Sequence, residues 1–278
     1  MRIDVKKTYK LYIGGAFPRS ESGRSYEIND SKGNFLANPA LASRKDLREA
    51  VVAARAAVSG WSGATAFNRG QILYRVAEVL EGRKAQFIEE VIALEGGTRI
   101  VAGKQVDEAI DRWVWYSGWC DKIASIYGST NPVSGPYYNF TTPEPLGVVG
   151  IFAPQKQSLL GLVDSLGAVL AGGNTAVVVA SEKFPLPAIL LSEVLATSDL
   201  PGGVANILTG KSSELAPWLA SHMDVDGLDV TGLSSSQEKQ ARIDGVENLK
   251  RIHAFKDSTP QRILTFTENK TVWHPIGI

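Results

Sequence analysis

One cysteine and three histidines in 278 residues are too few for the chemistry such residues most often carry. A lone Cys120 cannot form an internal disulfide. His222, His253 and His274 stand far apart with no CxxC or HxxxH spacing, which excludes the familiar structural zinc patterns and leaves no metal site expected. Net charge is absent as well, because 29 Lys and Arg offset 29 Asp and Glu. No field therefore draws the chain to nucleic acid or to an anionic membrane surface, and small molecules or proteins are the expected partners. Long apolar runs are also missing. The longest, Leu159 to Val169, is interrupted by Asp164 and Ser165, and the opening MRIDVKKTYKLYIGG has no apolar core of the kind a secretory signal needs. The expectation is a cytoplasmic protein with no membrane attachment.

What is there suffices for a substantial core, since 44% of the residues are apolar. The first forty residues read as short strands around Gly14, Gly15 and Gly33. Ser43, with Asp46 three residues later, then opens SRKDLREAVVAARAAVSGW, an amphipathic helix with a polar cap. Further helical periodicity runs over Phe67 to Ala93, with a break near Gly82 or Arg83, and over Val106 to Ile123. From Pro136 the period changes to two in PYYNFTTPEPLG, which predicts a hairpin or extended arm.

A regular alternation follows. GVVGIFA, TAVVVAS, VANILTG and DGLDVTG read as strands, separated by helices over Leu159 to Leu170, Leu186 to Ala196 and Glu214 to His222, and NLKRIHAF reads as a fifth strand. Strands with no polar alternation, each followed by a helix, predict a parallel sheet covered on both faces. The fold class is thus α/β, a Rossmann-like parallel sheet with flanking helices, with ligands expected at the carboxyl ends of the strands. The tail ILTFTENKTVWHP is β-prone, and with nothing after it to cover an apolar strand it predicts an intermolecular partner.

Several segments resemble one family over nearly the whole chain, the aldehyde dehydrogenases. KLYIGGAF is similar to their first strand, WYSGWCDKI to the helix before their projecting hairpin, and TTPEPLGVVGIFAP to their lead into the cofactor sheet. The most specific stretch is LAGGNTAVVVASEKFPLPAILLSEVLATSDLPGGVANILTG, followed by ASHMDVDGLDVTG, which resembles the family's cofactor-binding signature. The resemblance places Glu182 where the family holds the adenosine ribose, and it makes Glu182, Gly210, Gly232 and Lys156 the candidate residues of a degenerate cofactor site.

The departures carry the functional reading. The family's P-W-N-F-P corresponds to Pro154, Gln155, Lys156, Gln157 and Ser158, so Lys156 stands at the asparagine whose amide holds an oxyanion; a flexible ammonium lacks that fixed planar donor. The family's cofactor-binding lysine corresponds to Val179. Its phosphate turn becomes Thr231, Gly232, Leu233 and Ser234, with Gln237 at the second glycine. Its general base falls on Phe255, which accepts no proton, and the sequence then passes directly to TFTENKTVWHP, which resembles the family's C-terminal oligomerisation tail without the domain that bears the nucleophilic cysteine. Cys120, in the WYSGWCDKI helix, is expected to pack and not to react. Trp113, Trp115, Tyr116 and Trp119 of the same helix are expected in core and interface.

No catalytic residue is therefore expected, and no cofactor, or at most weak NAD(P) binding. The ranges implied are 1–127 and 146–257 for the cofactor-type domain, with 128–145 and 258–278 for an oligomerisation hairpin and tail. Tyr138, Phe266, Val272 and Trp273 are its expected contact residues, by strand addition to a neighbouring subunit's sheet; the competing reading folds the tail back on its own hairpin near Tyr138. The resulting expectation is a catalytically degenerate aldehyde dehydrogenase-like subunit, forming a homodimer or a hetero-oligomer with a full-length aldehyde dehydrogenase. The alternatives are an NAD(P)-dependent oxidoreductase acting on aldehydes and a nucleotide-binding sensor.

Overall fold

The computed structural model describes residues 3, 5 and 7–277. The ranges 1–127 and 258–278 also reach residues 1, 2, 4, 6 and 278, which lie outside the described residues. A short pair, β1 (Ile28–Asn29) and β2 (Phe35–Ala37), precedes four long helices: α1 (Arg44–Gly63), α2 (Ala66–Gly82), α3 (Lys84–Glu95) and α4 (Arg99–Trp119). The short α5 (Ile123–Tyr127) then leads to the hairpin strands β3 (Ser129–Asn131) and β4 (Tyr137–Pro145). The α/β alternation follows as β5 (Val148–Phe152), α6 (Ser158–Ala171), β6 (Thr175–Val179), α7 (Leu186–Ala196), β7 (Ala205–Leu208), α8 (Ser212–Ser221), β8 (Gly227–Asp229), α9 (Ser235–Asp244) and β9 (Arg251–His253). The short α10 (Gln261–Thr265) and the tail strand β10 (Thr267–Pro275) close the chain.

The start of α1 is the capping box that its sequence spells: the Ser43 hydroxyl accepts from the amides of Lys45 and Asp46, and the Asp46 carboxylate accepts from Ser43 N at 2.7 Å. The break between α2 and α3 falls at Arg83, and α7 has the bounds its periodicity predicts. Three expectations need correction. The fourth long helix starts at Arg99, seven residues before Val106, because the Thr98 hydroxyl caps it by accepting from Val101 N. Helix α9 was hidden in the segment read as a phosphate turn; it buries only Ala241, so it shows almost no apolar periodicity, and its signal is the Ser234 and Gln237 capping box. The tail does not begin as a strand: residues 261–265 form α10, and Phe266 caps its end.

The main sheet is five-stranded and wholly parallel in its ladders, with order β7-β6-β5-β8-β9. Every residue of β5, β6, β7 and β8 is buried, as a sheet covered on both faces requires. One face packs on α1, α8 and α9 through Leu47, Val51, Leu215, Leu219 and Ala241. The opposite face packs on α2, α4, α6 and α7, with Trp113, Tyr116 and Leu166 fully buried. Strand order reverses on either side of β5, so the crevice beside the carboxyl ends of β5 and β8 is where such a sheet ordinarily takes a ligand.

The second sheet has order β10-β4-β3. The tail strand pairs antiparallel with β4 along its whole length, from Thr267 opposite Pro145 to Pro275 opposite Tyr137. The tail thus folds back on its own hairpin near Tyr138, and the reading in which it stood without an intramolecular partner is overturned. Its free side is still a sheet edge. Residues 258–266, grouped with the arm on patterning, instead run under the main sheet: α10 packs on α6, with Ile263 buried at 1% exposure.

Candidate functional site

Four helix N-termini, those of α6, α7, α8 and α9, lie at the carboxyl edge of the sheet, each a concentration of unpaired N–H groups and positive partial charge. Side chains of the chain itself meet those of α6, α8 and α9, while no side chain caps α7. Glu95, at the end of α3, accepts from both Ser158 N at 2.8 Å and Ser158 Oγ at 2.7 Å, so its carboxylate sits on the first turn of α6. The Glu182 carboxylate accepts from Ser212 N at 3.2 Å, the first residue of α8. At α9 the Ser234 hydroxyl accepts from Gln237 N, and Gln237 Oε1 accepts in return from Ser234 N.

The loop after β5 is tied down similarly. Gln155 Oε1 accepts from Glu182 N at 3.0 Å and from Ser181 Oγ at 3.3 Å, bridging the carboxyl ends of β5 and β6. Gln157 takes φ 49°, an uncommon conformation for a residue with a side chain, and turns the chain sharply into α6. Lys156 is exposed, and among the described residues no hydrogen bond or ion pair holds its ammonium.

Three of the four candidate cofactor residues make contacts within the chain itself. Glu182 is committed to the α8 N-terminus. Gly210 is buried, where a Cβ would stand 3.2 Å from Leu215 and 3.4 Å from Ala42 N. Gly232 closes the crevice at the strand-order reversal: its N–H donates to Phe152 O at 2.9 Å, and a Cβ there would collide with the carbonyls of Phe152 and Ala153. The close approach that glycine permits is thus between two stretches of this chain's own backbone. Thr231 is likewise engaged, donating to Asp229 and accepting from Phe255 N at 2.9 Å. Between α8 and α9 lies an apolar groove of about 160 Å³, lined by Ser212, Ala216, Pro217, Gln237, Ala241 and Asp244 among others. It is smaller than the several hundred Å³ of an ordinary cofactor pocket.

The remaining candidates for chemistry are packed away. Cys120 is 3% exposed, its thiol donates to Tyr116 O, and burial pushes it up to about 12 against a smaller opposing effect of the Arg69 guanidinium. A thiol held that high stays protonated at neutral pH. Phe255 is buried, with the His253 ring centroid 4.4 Å away at a tilt of 46° and the Arg262 guanidinium 4.7 Å from its ring centroid. His222 accepts from Asp224 N at 3.2 Å through Nδ1, and burial lowers its pKa. Among the described residues no group of His, Cys, Asp and Glu could hold a metal ion, and no helix is long and apolar enough to cross a membrane.

The family model for the aldehyde dehydrogenase family matches residues 17–255. The chain belongs to the aldehyde dehydrogenase family. Among its relatives, retinal dehydrogenase 2 of Homo sapiens is 32% identical over 256 residues, covering 90% of this chain and 48% of that protein. The cytosolic 10-formyltetrahydrofolate dehydrogenase of Xenopus tropicalis is 33% identical over 262 residues, covering 90% of this chain and 28% of that one. The structure of the aldehyde dehydrogenase from Bacillus cereus in complex with NAD+ superposes with a TM-score of 0.82 at 26% identity, over 88% of this chain and 50% of that chain. The chain therefore spans half or less of the length of these relatives. Family, α/β class and parallel sheet agree with the sequence reading.

Of the expected contact residues, three lie on the arm. Tyr138 and Val272 share one face of the β10-β4 sheet, in register with His274 and Phe140, while Trp273 lies on the other with its ring 5.8 Å from Tyr137. Tyr138 is 47% exposed and Trp273 58%. Phe266 is the exception. It precedes the strand, is 1% exposed, and packs against Phe255, Leu146 and Gly227, so it belongs to the core and not to a contact surface. The Glu95 cap on α6 was missed in the sequence, because 63 residues separate the partners and no local pattern joins them.

Proposed function

We propose that this chain is a catalytically silent member of the aldehyde dehydrogenase family, a structural or regulatory subunit that associates through its hairpin arm with a second copy or with a full-length aldehyde dehydrogenase in the cytoplasm. The observation that carries the reading is the state of the one thiol: Cys120, at the C-terminal cap of α4, is buried, donates to Tyr116 O and is held protonated. Aldehyde oxidation by thiohemiacetal chemistry needs a thiolate beside the nicotinamide and a base to form it. The position that the family resemblance assigns to that base holds Phe255, and Lys156 stands where the amide donor is expected.

At the N-termini of α6, α8 and α9 the residues present do not fit the phosphates of a dinucleotide, whereas no side chain caps α7. Carboxylates already occupy the N-termini of α6 and α8, the capping box occupies α9, and Gly232 is spent on the contact with β5. A phosphate brought to these positions would meet Glu95 or Glu182 in place of free N–H groups. The apolar groove between α8 and α9 supports one second reading, a sensor that takes only the base of a nucleotide.

The test combines turnover, titration and co-purification. Purified protein is expected to give no linear NADH or NADPH formation with aldehydes and NAD+ or NADP+ respectively, and no calorimetric heat with either dinucleotide. Co-expression with full-length aldehyde dehydrogenases of the same organism is expected to recover a mixed oligomer, unless the chain pairs with itself. Steady turnover would overturn the silent-subunit reading, and a strictly monomeric chain in every combination would overturn the association. Saturable binding of adenosine with none of pyrophosphate would move the conclusion to the sensor.

A further inference from the structure

The arm leaves the domain by two roots, and one buried side chain holds both. The first root is Leu146 and Gly147, between β4 and β5; the second is Phe266, between α10 and β10. Leu146 N donates to Phe266 O at 3.1 Å. Asn174, at the start of β6 and 0% exposed, accepts from Gly147 N at 2.8 Å through Oδ1 and donates to Phe266 O at 2.9 Å through Nδ2. The amide orientation follows from its partners, since a flipped group would set donor against donor and acceptor against acceptor.

Packing around the roots leaves little room for movement. A Cβ on Gly227 would stand 2.9 Å from the Phe266 ring and 3.0 Å from Leu146, and one on Gly173 would stand 2.8 Å from Pro145, the last residue of β4. Gly147 takes φ 134°, open essentially to glycine alone, and a Cβ there would collide with the Asp226 carboxylate. Ile263 and Arg262 fix the approach to Phe266 from below, the first against Gly172 and the second by a 3.1 Å bond to Ser165 Oγ. A swing of the arm about its roots therefore breaks both Asn174 bonds and leaves buried polar groups without partners.

We propose that Asn174 is a positioning residue for the arm: it clasps both roots and sets the angle at which the free edge of β10 is presented to a partner chain. The functional weight of that angle rests on the association proposed above, whereas the clasp itself is testable on the isolated protein.

Nitroxide labels on His274→Cys, at the exposed end of β10, and Lys239→Cys, on the exposed side of α9, report the arm-to-domain distance by pulsed electron paramagnetic resonance; Cys120 is buried and takes no label. The parent is expected to give one narrow distance distribution. Asn174→Ala is expected to broaden it to at least about twice that width, because the roots lose their common partner. Leu73→Ala, a fully buried truncation in α2, serves as a control that destabilises the domain without touching the roots and leaves the width unchanged. If Asn174→Ala does not fold, Asn174→Ser, whose hydroxyl reaches only one root, is measured in its place. An unchanged distribution in the Asn174 variant, or equal broadening in Leu73→Ala, overturns the clasp. A parent that never associates overturns the proposed function and leaves the clasp to be judged by the distance data.

Discussion

Lys250 shows how burial alters a single residue's chemistry. It is 9% exposed, its ammonium donates to His222 O and to Asn248 Oδ1 at 2.6 Å each, and burial lowers its pKa from 10.5 to about 8, against the opposing pull of Asp226. Below pH 8 both folded and unfolded chains carry the proton, and the folded state bears the full cost of a charge held away from water. Between pH 8 and 10.5 the unfolded chain binds more protons than the folded one, so this lysine's contribution to stability rises with pH. Chemical denaturation from pH 7 to 10.5 is expected to show that rise in the parent and lose it in Lys250→Met. A parallel pH dependence in both proteins would assign the effect to other groups. Neither the shift nor its cause is legible from the sequence, where Lys250 is one basic residue among several.

At the scale of elements, legibility depended on how local the determining interactions are. The capping boxes at Ser43 and Ser234 are written within four residues, and the continuous apolar runs of β5 and β6 follow from burial on both faces. Helix α9 was nonetheless missed, since a helix that buries only Ala241 has no apolar stripe to read. The turn before it gives the prediction at this scale. Because Gly232 brings the loops after β5 and β8 into backbone contact, Gly232→Ala must push them apart and lose the 2.9 Å bond to Phe152 O. A loss of about 1–3 kcal/mol is expected, in the range of other overpacking changes. Thermal or urea denaturation with no loss would show that the crevice can open, and would restore room at the reversal point of the strand order.

For the whole molecule, the proposed association needs a surface to carry it. The arm carries exposed Tyr138 and Trp273 and offers one unpaired edge of the nine-residue β10. Replacing Val272 and Trp273 together by glutamate is expected to abolish association, measured by light scattering and by co-purification. The melting temperature should change little, because neither side chain supports the five-stranded sheet. Retained association in this variant would move the interface off the arm. Phe266→Glu is expected to behave differently, unfolding the joint between α10 and the sheet, since that ring is core.

Chain-local information determined the family, the parallel α/β layering and most helix limits, because periodicity, caps and glycine turns act between near neighbours. That Lys156, Phe255 and Leu233 stand in place of an amide, a base and a phosphate turn is proposed from the family resemblance, which is chain-local in the same way. Tertiary structure alone decided that the tail returns to its own hairpin, that Phe266 is core, that Glu95 and Glu182 occupy helix N-termini, and that Asn174 ties the arm to the domain. Each of these joins residues far apart in sequence. Their selection depends on which buried donors and acceptors meet once the layers pack, and that is a property of the packed fold and not of any segment.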